Sequence, residues 1–170
     1  MIKKYFYSLL FVFLLFSCKK AKKAIVSKQI TIVKSYNYNE LKPLLEKEDN
    51  KTYIVNFWAT WCAPCVKELP AFEKLNKEYA SKNVEVILVS LDFPKQVDKR
   101  LIPFINKKKL QSKVILLDDI NENIWIKAID STWSGAIPAT LIYNKNNRKF
   151  YEQSFDYEQL EAELQTFLKI

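Results

Sequence analysis

Three cysteines occur in this 170-residue chain, and two of them stand close together in Trp61-Cys62-Ala63-Pro64-Cys65. A C-x-x-C pair can attack, hold and release a disulfide, or it can supply half of a metal site. The reacting species in disulfide exchange is the thiolate, and a free thiol with a pKa of about 8.5 is only slightly ionised at neutral pH. Such a pair therefore needs local positive potential. A helix N-terminus provides it through unpaired N–H groups and the helix dipole. Cys62 at that position is the expected attacking nucleophile, with a lowered pKa and some exposure. Cys65, one turn on, is the expected resolving thiol that closes a Cys62–Cys65 disulfide. Structural zinc would need further cysteine or histidine ligands. The chain has no histidine, and its other cysteine is the distant Cys18. No metal or other cofactor is expected beyond the redox-active disulfide. Binding of Cu(I) by the two thiolates is the reading of a different class.

The elements that must position the pair are readable on both sides of it. Thr52 to Trp58 is a β-rich apolar run, expected to be a buried strand. Ala63 to Tyr79 carries Val66, Leu69, Phe72, Leu75 and Tyr79 at helical spacing, with Pro70 inside. Pro64 suits an early helical position because its missing N–H would lack a partner there. Further strands are expected over 25–33, 84–91, 113–117, 139–143 and 148–153. Helices are expected over 40–47 (capped by Asn39, with Pro43 in the first turn), 94–110 with a break at Pro103, 121–129, and 155–170. In the last, Leu160, Leu164, Phe167 and Leu168 should face the core. The asparagines of 144–147 should form a hairpin turn through positive φ. The order predicts an α/β fold with a mixed central sheet flanked by helices.

The net charge of +8 is unevenly placed. Seven lysines and no acid lie in residues 1–28, and without them the charge falls to +1. That distribution argues against nucleic acid as a partner. Lys3 and Lys4 precede Tyr5 to Phe16, an apolar stretch too short to span a bilayer comfortably but suited to an export signal.

Two resemblances sharpen this reading. Leu15-Phe16-Ser17-Cys18 resembles the lipobox of bacterial lipoproteins. That implies a signal peptide over 1–17, lipid on Cys18, a basic tether over 18–28 and a folded domain over 29–170. The protein would then be extracytoplasmic, on the periplasmic side, and held at the membrane by its lipid. The second resemblance lies in Tyr53 to Pro70. Asn56, Phe57, Trp58, Ala59, Thr60, Trp61, Cys62, Pro64, Cys65, Glu68 and Pro70 match the active-site pattern of the TlpA/ResA-like group of thioredoxin-like proteins, which are exported thiol–disulfide oxidoreductases. The resemblance covers about residues 30–168. It implies a thioredoxin-like fold with an N-terminal extension, and a helix–strand–helix insertion within 92–130.

It also assigns roles residue by residue. Glu68 would transfer the proton of Cys65, since Asn56 stands where thioredoxins proper carry a buried aspartate. Gly135-Ala136-Ile137-Pro138 resembles the family's segment with a cis-proline at Pro138, and the backbone near Ile137 would pair with substrate. Trp61, Ala63 and Pro64 would also contact substrate, and Trp58 would lie partly buried beneath the site. The implied partners are protein thiols and disulfides and a membrane electron donor, for a monomer. A reductase is expected, with cytochrome c maturation as the group's typical use. A disulfide-forming oxidase and a peroxidase are the alternatives. The residue between the cysteines that is often histidine in strong oxidants is Ala63 here. The proline-and-threonine setting of a peroxidatic cysteine is not matched.

Overall fold

The computed structural model describes residues 32–168. The export segment, Cys18, the tether, and most of the strand expected over 25–33 lie outside the described residues. Ile32 and Val33 are described and are not strand. Strand β1 is Lys34–Tyr36, because it is these three residues that find partners, Ile115 to Leu117.

After β1 come helix α1 (Tyr38–Leu41) and a 3₁₀ turn at Lys42–Leu44. The cap is Asn37, not Asn39. Asn37 and Glu40 have the spacing of a capping box: the Asn37 side chain accepts from Glu40 N–H, and the Glu40 carboxylate accepts from Asn37 N–H. Strand β2 (Thr52–Trp58), helix α2 (Ala63–Tyr79) and strand β3 (Val84–Ser90) follow. Then come α3 (Ile102–Lys108), β4 (Lys113–Leu117), α4 (Glu122–Ile129), β5 (Ala139–Tyr143), β6 (Arg148–Tyr151) and α5 (Tyr157–Leu168).

The sheet order is β1-β4-β3-β2-β5-β6. The first four strands are mutually parallel, and β5 and β6 are antiparallel to their neighbours. The 92–130 segment thus contributes a strand, β4, between β1 and β3. Every residue of β2 is buried, as a central strand covered on both faces must be. Its alternate residues feed two cores. Ile54 and Trp58 pack with Leu69 and Phe72 of α2, with Leu101 just before α3 and Ile105 within it, and with Leu160 and Leu164 of α5. Tyr53, Val55 and Phe57 pack with Leu41, Trp125, Ile129 and Trp133. Trp58 is fully buried, deeper than a position merely beneath the site requires.

Two local expectations are corrected. The segment expected as one helix over 94–110 is a 3₁₀ turn at Pro94–Gln96 and a wide π turn at Val97–Leu101, and only then α3. Ile102 N–H reaches back to Val97 O, and Pro103 falls in the first turn of α3, where it costs no bond. The hairpin between β5 and β6 uses no positive φ; among described non-glycine residues those angles occur at Asn83 and Lys109. Instead the Asn144 side chain accepts from the N–H groups of Asn146 and Asn147, both at 2.9 Å. The side-chain oxygen adds to the backbone bond from Asn144 N–H to Asn147 O.

Candidate active site

The site sits where β2 ends. Trp58 O accepts from Leu91 N–H, and the chain then leaves the sheet through Ala59-Thr60-Trp61. A buried carboxylate clamps this exit. Asp92 Oδ2 accepts from Thr60 N–H (3.0 Å) and Ser90 Oγ (2.8 Å), and Oδ1 accepts from Thr60 Oγ1 (2.5 Å). Asp92 is a positioning residue that the sequence reading missed. The available signal was an acid directly after a second buried strand that ends beside the motif strand.

Cys62 caps α2. Its backbone is extended, and its sulfur accepts the N–H of Cys65 at 3.3 Å. Cys62 and Cys65 are joined by a disulfide across Cα atoms 5.3 Å apart. Cys62 keeps 6 % exposure and Cys65 none, so Cys62 is less open than expected. The surroundings are accessible: Ala63 and Pro64 are exposed, and Trp61 is about half exposed at 51 %.

Opposite the pair lies the loop into β5. The Ile137–Pro138 peptide is cis. Ile137 O stands 3.7 Å from Cys62 Sγ. The oxidised sulfur carries no proton, so this is a contact; a reduced Cys62 would have a donor there. Gly135 makes the approach possible. Its φ of +96° is one that side chains rarely adopt, and a Cβ would meet Ile126 Cδ1 at 3.0 Å. Trp133 Nε1 donates to Ala136 O at 2.8 Å, and Glu152 accepts from Ser134 N–H at 2.9 Å, which pins the loop from both sides.

Beneath the pair is Glu68, 4 % exposed and three residues after Cys65 on α2. Its Oε1 accepts from Asn56 Nδ2 at 2.8 Å, and its Oε2 accepts from Phe155 N–H at 2.8 Å. No hydrogen bond joins it to Cys65, which has no proton in this state. Burial raises its pKa from 4.5 to about 7, against the two hydrogen bonds. The carboxyl borders a groove of about 590 Å³ between α2 and the start of α5, lined also by Pro64, Lys67, Lys74, Phe155 and Tyr157. Among the described residues no group of three or more His, Cys, Asp or Glu side chains is arranged to hold a metal ion, and no helix is long and apolar enough to cross a membrane.

The sequence matches the family model described as the AhpC/TSA family over residues 28–148. It is 32 % identical over 130 residues to the thiol-disulfide oxidoreductase ResA of Bacillus thuringiensis (strain Al Hakam), covering 76 % of this chain and 66 % of that protein. It is 37 % identical over 75 residues to the thioredoxin-like protein YneN of Bacillus subtilis (strain 168), covering 44 % of each. The chain therefore spans less than two thirds of the length of these curated relatives. Among solved structures, the thiol:disulfide interchange protein of the thioredoxin family from Chlorobium tepidum superposes with a TM-score of 0.58 at 20 % identity, over 69 % of this chain and 80 % of that one. That likeness is one of fold, and the fold is thioredoxin-like. With the model matched across most of its length, the chain belongs to the AhpC/TSA family.

Proposed function

We propose that the protein is a thiol–disulfide oxidoreductase that reduces disulfides in exported proteins. The observation that carries this reading is the Cys62–Cys65 disulfide at the start of α2, with Ile137 O beside it and a buried carboxyl below. In the reduced enzyme the Cys65 N–H that now bonds Cys62 Sγ stabilises a thiolate there. That thiolate attacks a substrate disulfide, forming a mixed disulfide and expelling one substrate thiolate. Cys65 gives its proton to Glu68, and its thiolate attacks Cys62 Sγ. The Cys62–Cys65 disulfide re-forms and the second substrate thiolate leaves, so two electrons pass to the substrate. A membrane electron donor returns them. No cofactor beyond the disulfide takes part.

Trp61, Ala63, Pro64 and Ile137 form the substrate face. The backbone at Ile137 suits an extended chain added as a strand. Alanine rather than histidine between the cysteines favours the reducing direction. The lipobox-like Leu15 to Cys18 supports an extracytoplasmic protein anchored by lipid at Cys18, and the proposed form is a monomer. Apocytochrome c cysteines are the proposed clients. The test is insulin reduction by the full-length protein with dithiothreitol as donor. Accelerated precipitation of the insulin B chain is expected. No acceleration, together with tight Cu(I) binding, would replace the enzyme by a copper carrier.

A further inference from the structure

The buried amide next to Glu68 has an asymmetry. Asn56, fully buried on β2, directs its Nδ2 at three oxygens: Glu68 Oε1 at 2.8 Å, Thr140 Oγ1 at 3.1 Å and Ala139 O at 3.5 Å. Its Oδ1 is buried with no hydrogen-bond partner. A buried acceptor left unpaired is costly. The arrangement suits an ionised Glu68, which needs donors.

It does not suit a protonated Glu68. A proton on Oε1 directed along the Asn56 bond would face the N–H of Nδ2, donor against donor. Turning the amide over by about 180° exchanges its oxygen and nitrogen, the two ways an asparagine can occupy one site. Oδ1 would then accept from the Glu68 hydroxyl, and Thr140 Oγ1 could donate to the same oxygen. The amide keeps a partner for Glu68 in both protonation states, and the contact with Ala139 O is given up in one of them.

We propose that Asn56 is the positioning residue of Glu68, its side-chain amide turning over each time Glu68 gains or loses a proton. Only the proton moves, between the Cys65 thiol and Glu68 Oε1, and the amide follows it. An aspartate at position 56 could not do this. Two carboxyls at such a distance would share one proton and titrate as a pair. The inference deepens the reading of Glu68 as the proton acceptor and rests on it. The titratable groups that line the groove with Glu68 are Lys67 and Lys74 of its own helix, and Asp156 and Tyr157 where α5 begins; Cys65 precedes it by one turn of α2. Burial and the two hydrogen bonds, not these charges, set the carboxyl's titration.

The experiment is a pH titration of the full-length reduced protein by NMR, following Glu68 ¹³Cδ and the Asn56 side-chain ¹⁵Nδ2 signals together. The two should move with one midpoint, the Asn56 amide protons should lose their NOE contacts with Thr140 as Glu68 is protonated, and the Asn56 signals should stay fixed in Glu68→Gln. NOE contacts that persist through the titration would mean the amide does not turn. Asn56 signals that remain flat while Glu68 titrates would overturn the proposal. In Asn56→Asp, two carboxyl steps more than about one pH unit apart are expected. A single step at the wild-type midpoint would contradict it. If that variant does not fold, the comparison of wild type with Glu68→Gln still decides. Neither readout needs disulfide exchange. A protein inactive on insulin but with coupled signals loses the proposed function alone, whereas an active protein with flat Asn56 signals loses this inference alone.

Discussion

The two faces of β2 are built from the same strand and differ in kind. On one face Tyr53, Val55 and Phe57 enter a largely apolar, aromatic core. Phe57 lies 4.8 Å from Trp133, which meets Trp125 at 5.6 Å and Phe150 at 5.4 Å between ring centres. The indole N–H groups of that core are paired with backbone carbonyls, Asp119 O and Ala136 O. On the other face Ile54 and Trp58 flank Asn56, and the core there holds a carboxyl, an amide and the cysteine pair. Asn56 Oδ1 and Trp58 Nε1 are both buried without a partner on this side. A core built for stability alone pairs or avoids such groups. The face that carries them is the one under the reactive sulfurs, so polar strain and chemistry coincide.

Substitutions on the two faces should therefore separate stability from activity. The largest effect is expected from Cys62→Ala. Insulin reduction should fall on the order of a thousandfold or more, since the attacking group itself is gone. Cys65→Ala should instead accumulate mixed disulfides, visible on non-reducing gels. If both variants keep full activity, the site is elsewhere. Phe57→Ala, on the aromatic face, should cost about 3–5 kcal/mol in urea unfolding. It should leave the pH midpoint of Cys65 alkylation where it was. A moved midpoint would mean that the faces are not independent.

Glu68→Gln should do the reverse. The carboxyl's folded pKa, about 7, lies above its ordinary 4.5. The folded state therefore binds a proton that the unfolded state has already lost. The stability this adds is fully present below about pH 4.5 and is lost as pH rises through about 7. Thermal unfolding across that window should show wild type falling and Glu68→Gln nearly flat, with an altered Cys65 alkylation profile. Identical curves would remove Glu68 from the proton path. The smallest effect is expected from Asn37→Ala, which breaks the capping box of α1 at a cost of about 1 kcal/mol. Exchange rates should not change.

How much of this was legible in the sequence depended on how local the cause was. Thr52 to Trp58, Lys113 to Leu117 and Ala139 to Tyr143 have the expected bounds, because apolar β-rich runs end at polar or turn residues. Helix α2 also has its expected span, and the cysteines fall at its start. The burial of Glu68 within it was not read from the spacing. Cys65, Glu68, Phe72, Leu75 and Tyr79 lie on the buried face, so Glu68 occupies a position where an apolar residue would ordinarily stand. Non-local causes were not legible. The clamp between Thr60 and Asp92 joins residues 32 apart. The Glu68 partners Asn56 and Phe155 come from β2 and from the turn before α5. The π turn before Pro103 and the asparagine turn at Asn144 depend on hydrogen-bond choices that residue type alone does not fix.

The central claim is that Cys62 and Cys65 form a reversible pair poised to give electrons away. The most direct test is its reduction potential, obtained by equilibrating the full-length protein in redox buffers and counting free thiols by alkylation. A value near about −250 mV or lower is predicted, toward the thioredoxin end of the range. A value near about −120 mV, in the range of a strong oxidant, would contradict the proposed direction of electron flow.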